Sequence, residues 1–302
     1  MYIVDMHCDS LIHVGGDRGI VNSYNFSAKY PHLQFAAAFV PKRDREPKER
    51  RLELMQHFNV YLSEKERLGM IGVAGSEDVY KFEEEEARSC LFSVEGGAGL
   101  FADSSELEVL AMGGLRVLSL AWDKNELASS AWDENDEGLT ELGRQMLKKC
   151  DSLGIINDVS HLSDKSFYEL IETSRYPVLA THSNFRELCN SPRNLTRDMA
   201  KMIVERGGVI GLNLYPGFLR EGGKADLSDI IRHVDYALEN FGDSYLGFGF
   251  DIDGVDSYPT GIDTSASIHD QVVDLLLHNY PRETVEKIAG KNVINFLKNN
   301  LS

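Results

Sequence analysis

Asp5-Met6-His7-Cys8-Asp9 ends the apolar run that begins at Tyr2. His7 and Asp9 are two residues apart. On a β-strand that spacing puts both side chains on one face and Cys8 on the other. An imidazole and a carboxylate side by side at a strand end suit a divalent metal. If that reading holds, other strands must end in further ligands.

The chain supplies such strands. Short apolar runs at residues 2–8, 34–40, 89–94, 115–121, 154–159, 177–181, 208–214 and 245–250 make eight candidates. Most are apolar on both faces, as parallel strands covered by helices are. Amphipathic stretches separate them, at 47–68 (Leu52, Leu54, Met55, Phe58 and Leu62 on one face), 140–153, 164–174, 196–207 and 228–241. Two or more helices follow within 267–301. Eight strands alternating with helices predict one closed (β/α)8 TIM-type barrel domain over residues 1–302. A doubly wound open sheet is the alternative, but no Gly-rich dinucleotide fingerprint follows the first strand. Gly96-Gly97-Ala98-Gly99 reads as a tight turn before it reads as a phosphate cradle. Lys81-Phe82-Glu83-Glu84-Glu85-Glu86 reads as a solvated helix face. The polar stretch 123–138 is long for a connection in such a barrel and is expected to line the site.

With 302 residues, 42% hydrophobic and 26% charged, the composition is that of an ordinary globular protein able to bury a sizeable core. A formal net charge of −17 repels phosphate backbones and anionic lipid, so neither nucleic acid nor membrane is an expected partner. Cys8, Cys90, Cys150 and Cys189 form no CxxC pattern and are expected to be buried free thiols in a reducing compartment. With no basic and apolar leader pattern at the N-terminus and no stretch of ~20 apolar residues, the expected location is cytoplasmic.

Ligand-type residues fall at the ends of several runs: His7 and Asp9, Glu95, His161, His182 and Asp251. Strand ends in a barrel open on one mouth, so the six groups converge. Buried without partners they would be costly, and a bound cation removes that cost. Five ligands (His7, Asp9, Glu95, His161 and His182), with Asp251 kept for proton handling, suit two metals better than one. Glu95 can serve as a bridge. Ligation by imidazole and carboxylate without thiolate fits two zinc ions best, with other divalent metals as alternatives.

These residues and their surroundings resemble the membrane dipeptidase (renal dipeptidase) family of amidohydrolase-like metal-dependent hydrolases. The resemblance runs through Asp5–Asp9, Val94-Glu95-Gly96-Gly97, Asp158-Val159-Ser160-His161-Leu162-Ser163 and Thr181-His182-Ser183-Asn184. It continues in Ser191-Pro192-Arg193-Asn194, in Gly211, in Gly247-Phe248-Gly249-Phe250-Asp251-Ile252-Asp253-Gly254 and in Lys287-Ile288-Ala289-Gly290-Lys291-Asn292. It implies a zinc-dependent dipeptidase whose nucleophile is a hydroxide held between two metals. His7 and Asp9 would hold one, His161 and His182 the other, and Glu95 would bridge. Arg193 would bind the carboxylate of a dipeptide through its planar fork. Asp251 would move the proton, and Asp253 would act only from behind it. The resemblance also implies a homodimer and tolerance of a D-residue at the carboxyl side.

One departure stands out. After the fourth strand the animal enzymes carry a histidine that supports the tetrahedral intermediate. Here Trp122 occupies that place, in Leu118-Ser119-Leu120-Ala121-Trp122-Asp123. Indole donates one hydrogen bond and cannot ionise. Three outcomes are open: Trp122 substitutes in part as a substrate-binding group, Lys124 or Asn125 takes over, or the substrate is another amide, lactone or ester. A metal-holding scaffold without activity is the remaining alternative.

Overall fold

The computed structural model describes residues 1–13, 25–41, 44–97 and 99–301. Among the described residues nine strands form: β1 Ile3–Cys8, β2 His32–Phe39, β3 Ile71–Gly72, β4 Arg88–Glu95, β5 Leu115–Ser119, β6 Ile156–Asp158, β7 Leu179–Ala180, β8 Val209–Leu212 and β9 Leu246–Phe248. All pairings are parallel. The ring closes through β1–β2, β2–β4 and β1–β9, so eight strands make the barrel predicted from the apolar runs. The ninth, β3, pairs with Ser89 and Cys90 of β4 before β5 takes over that edge at Phe92. Two residues are too few to show as an apolar run, and the sequence reading has no strand there.

The barrel interior is apolar at the end away from the mouth. Val4, Met6, Leu33, Phe35, Leu91, Val117, Ile156, Leu179 and Val209 form one cluster, which the helix Asn292–Asn300 joins through Val293, Ile294, Phe296 and Leu297. Gly290 abuts the Tyr2 carbonyl, and Asn292 Nδ2 donates to the Asp243 and Leu246 carbonyls, which fixes that helix to β1 and to the entry of β9. A second, larger cluster lies between strands and outer helices.

The outer helices follow the amphipathic stretches. Pro47–Arg67 buries Arg50, Leu54, Phe58 and Tyr61. Leu52, expected on that face, is 58% exposed, because positions 50, 54, 58 and 61 already complete the stripe. The helices Glu141–Leu153, Asp164–Thr173 and Arg197–Glu205 begin at Thr140, Ser163 and Thr196, whose hydroxyls accept a backbone N–H of the first turn. Glu84 and Glu85 are solvated while Phe82 is buried, which agrees with an acidic outer helix face. The helix Ser105–Met112 was not expected. Among the described residues no helix is long and apolar enough to cross a membrane.

Simple alternation fails at one place that matters. Val4 and Met6 face the barrel interior, so strict period two would turn His7 outward. The pairing of β1 with β2 slips between Asp5 and Cys8. This irregularity re-aims His7 toward the mouth, as bulges near functional sites do. The His7 backbone N–H is taken up by Asp5 Oδ1 at 3.1 Å. The same oxygen accepts the Phe250 N–H, and Asp5 Oδ2 lies 2.7 Å from His269 Nε2. Asp5 thereby ties β1 to the chain that leaves β9.

At Gly211 in β8 an added Cβ would overlap the Thr181 carbonyl oxygen. Gly211→Ala is expected to lower stability by about 1–3 kcal/mol through overpacking, measured by urea denaturation of the metal-loaded protein.

Candidate metal centre

His7 and Asp9 come from the end of β1, and Glu95 is the last residue of β4. His161, His182 and Asp251 lie two or three residues beyond β6, β7 and β9 rather than at the last strand residue. His161 and Asp251 have positive φ (71° and 61°). Side chains with this backbone are uncommon, and such strain collects at functional sites. The turns swing both groups back over the mouth.

The six groups expected to converge do so. Glu95 Oε1 is 2.7 Å from His161 Nε2, 3.3 Å from His182 Nε2 and 3.7 Å from His7 Nε2. His7 Nε2 is also 3.5 Å from Asp9 Oδ2 and 3.8 Å from Asp251 Oδ1. The His161 and His182 Nε2 atoms are 2.8 Å apart. Among the described residues three overlapping sets could each hold an ion: His7/Asp9/Glu95, Glu95/His161/His182 and His7/His182/Asp251. Tetrahedral ligation by oxygen and nitrogen at ~2.0–2.2 Å spaces donors by about 3.3–3.6 Å, close to most of these distances. Glu95 belongs to two of the sets, as a bridging carboxylate must.

Three of the donor atoms also lack other partners. His7 Nε2, Asp9 Oδ1 and Glu95 Oε1 are buried without a hydrogen bond. Leaving such groups unsatisfied is costly, and a cation satisfies them together. Burial pushes Glu95 and Asp251 up, and pushes His161 and His182 well down. His7 differs. Burial alone would depress it, but the carboxylates of Glu95, Asp9 and Asp251 lift it to about 10. In the metal-free chain a proton on His7 therefore does part of a cation's work. Its stabilisation is complete below the ordinary value of 6.5 and is lost as pH rises through about 10.

Hydrogen bonds behind the centre set its orientation. Thr181 Oγ1 donates to Asp158 Oδ2 at 2.6 Å and lies 2.8 Å from His182 Nδ1. Its one proton is committed to Asp158, since Ser160 Oγ is distant at 3.4 Å. His182 Nδ1 must then donate to Thr181, which leaves the Nε2 lone pair facing Glu95 and His161. Asp158 Oδ1 accepts the Ser160 and Thr181 backbone N–H groups and is itself held. On the other side Asn213 Oδ1 accepts the Tyr215 N–H, so its amide NH2 is turned to Asp251 Oδ2 at 2.9 Å. Asp251 Oδ1 remains on the His7 side. Asp158 and Thr181 stand in stretches that carry the resemblance, but their supporting roles were not read from it. Asn213 was missed altogether, since a lone Asn after a strand has no pattern.

A cavity of about 310 Å³ opens over the centre, lined by Asp9, Glu95, His161, Asp251, Arg193 and Trp122 among others. Arg193 is buried, and its Nη2 lies 3.1 Å from the His182 carbonyl and 3.3 Å from His161 Nε2. Its guanidinium stacks 5.4 Å from the Phe218 ring centre, and its Nε has no partner. Trp122 packs edge-on to Phe39 and 6.1 Å from the His161 ring. Neither alternative to Trp122 lines the cavity. Asn125 spends its amide on the Gly96 and Leu120 carbonyls and on the Leu127 and Ala128 N–H groups. Lys124 is exposed and pairs with Glu137. The glycines 96, 97 and 99 have positive φ and form a turn beside Glu95, with Ala98 outside the described residues. Cys8 Sγ lies 2.8 Å from Ser10 Oγ, whose proton goes to Asp253, and burial pushes the thiol well up. It belongs to none of the three ligand sets. All four cysteines are free and buried.

Removing the Thr181 hydroxyl frees His182 to adopt the wrong tautomer. Thr181→Val is expected to weaken metal binding by about 10–100-fold, and Thr181→Ser to restore it, measured by titration against a chromogenic chelator.

The model of the membrane dipeptidase family (peptidase family M19) matches residues 2–301. An uncharacterized protein of Klebsiella pneumoniae, named for the pqqA 5' region, is 29% identical over 233 residues, 74% of this chain and 86% of that protein. Dipeptidase tcpJ of Claviceps purpurea is 30% identical over 74% of this chain, and human dipeptidase 3 is 26% identical over 68%. The matches span 53% and 44% of those two dipeptidases, about half their length. Among solved structures, a dipeptidase AC of family M19 superposes with a TM-score of 0.88 at 24% identity, covering 100% of this chain and 99% of that one. A Rhodobacter sphaeroides metallopeptidase liganded with a phosphinate mimic of L-Ala-D-Ala gives 0.87 at 23% identity, with the same coverage. The barrel, the convergent ligand-type residues and the match over almost every residue agree: the chain belongs to the membrane dipeptidase family, peptidase family M19.

Proposed function

We propose that the protein is a metal-dependent dipeptidase that uses two zinc ions. The observation that carries this reading is Glu95 Oε1, shared between the His7/Asp9 pair and the His161/His182 pair under a cavity that also holds Arg193. Imidazole and carboxylate donors without a thiolate favour zinc. What such a metal pair supplies when bound is a water acidic enough to attack at neutral pH and a polarised scissile carbonyl.

The chain's own residues do the rest. Arg193 offers a guanidinium edge to the free carboxylate of a dipeptide and so limits substrate length. Asp251, pushed up by burial, is suited to accept a proton and return it to the leaving amine. Asn213 keeps one Asp251 oxygen occupied and leaves the other for that transfer. Trp122 closes the wall beside His161 as a substrate contact; its indole N–H is the one donor it can offer there. Buried free thiols support a reducing compartment such as the cytoplasm.

Chelation is expected to abolish dipeptide hydrolysis and lower the melting temperature together. Reloading zinc at pH 8 should release at least one proton, from His7, read by calorimetry in two buffers of different ionisation enthalpy. Full activity after exhaustive chelation would refute the metal reading. Arg193→Gln is expected to raise KM for dipeptides by about 100-fold, equivalent to 2–3 kcal/mol for a charge-assisted pair, while sparing amides that lack a carboxylate. Equal losses on both substrate types would remove the carboxylate clamp.

A further inference from the structure

The cavity walls are more aromatic than a metal site requires. Besides the charged groups it is lined by Phe39, Trp122, Trp132, Tyr215 and Phe218, none of them fully buried. Phe39 ends β2, and the other four come from the connections after β5 and β8. Phe39 and Trp122 pack together beside His161. The other three form a second wall: Tyr215 meets Phe218 edge-on at 4.8 Å between ring centres, and Trp132 lies 6.5 Å from Phe218. Trp132 is 59% exposed, a large apolar surface left in water at the rim. Packing of the barrel does not explain its position.

The second wall adjoins Arg193, whose guanidinium stands over Phe218. A carboxylate held by Arg193 places the side chain of its own residue against Phe218, Tyr215 and Trp132. Rings in this arrangement offer flat, preformed apolar surface, which a large side chain covers and a small one leaves wet. Charge acts in the same direction. Among the described residues Arg193 is the one Lys or Arg of the lining, while Asp253 and Asp256 stand at the rim, so an acidic side chain is repelled there.

We propose that the Trp132–Phe218–Tyr215 wall selects dipeptides whose C-terminal residue is aromatic or large and apolar, with Trp132 as the specificity-determining residue. This rests on the dipeptidase reading of the same site. Trp132 belongs to none of the three ligand sets, and its exposure makes its replacement tolerable to the fold.

The test compares Ala-Phe, Ala-Gly and Ala-Asp with the zinc-loaded protein. Wild type is expected to cleave Ala-Phe with kcat/KM about 10-fold or more above Ala-Gly, and Ala-Asp least well. Trp132→Ala should lower the Ala-Phe value by about 10-fold, mainly through KM, with Ala-Gly unchanged. Trp132→Phe should restore most of the difference. Equal rates on Ala-Phe and Ala-Gly, or equal loss on both in Trp132→Ala, would overturn the proposal. If no dipeptide is cleaved, the activity reading fails, and selectivity is read from binding. Both tryptophans of the chain line the cavity, so ligand entry changes intrinsic fluorescence. The same 10-fold preference in Kd supports the wall, and its absence refutes it.

Discussion

One carboxylate oxygen, Glu95 Oε1, sits among three imidazole nitrogens, with Asp9 and Asp251 close by, all of them buried. Without a cation this arrangement is electrostatically poor. Charged groups resist burial, and three of the ligand atoms, His7 Nε2, Asp9 Oδ1 and Glu95 Oε1, have no hydrogen bond. His7 holds a proton to about pH 10 as a partial remedy. With divalent ions the same geometry becomes favourable. Much of the barrel mouth can be understood as structure that keeps these six side chains from relaxing apart.

Backbone irregularity provides part of that restraint. The slip in β1 aims His7 inward, and left-handed turns carry His161 and Asp251 over the centre. Polar groups behind the centre provide the remainder. Asp5 with His269 anchors the His7 and Phe250 N–H groups. Asp158 with Thr181 settles the tautomer of His182, and Asn213 orients Asp251. Each is a buried, satisfied network of the kind that rigidifies a site. The wall of Trp132, Tyr215 and Phe218 is a separate layer, built from connections rather than strands, where specificity can vary without disturbing the ligands.

The eight barrel strands were legible because parallel strands buried on both faces are continuous apolar runs. β3 was not, since two residues carry no pattern. Leu52 was misplaced because an apolar residue beside a helix stripe need not belong to it. The ligand-type residues were legible from their chemistry and spacing, and from motifs around them. Lys124 and Asn125 were plausible near Trp122 in sequence, but one ion pair and one saturated amide take them elsewhere. Trp132 lies in the stretch 123–138 expected to line the site, but nothing singled it out there, and Tyr215 and Phe218 gave no signal. Their importance comes from meeting across two connections, and a single sequence does not show which loops face each other.

By itself, then, the amino-acid sequence determined the barrel, the family and the six side chains at the mouth. The barrel depends on local periodicity, the six side chains on residue type, and the family on the motifs that resemble it, all of which survive in one dimension. Tertiary structure alone decided the grouping of donors around Glu95, the inward turn of His7, the tautomer of His182 and the aromatic wall beside Arg193. Each of these is a matter of direction or of contact between distant segments. Directions depend on a slipped register and on positive φ, and contacts on barrel closure, none of which the order of residues states.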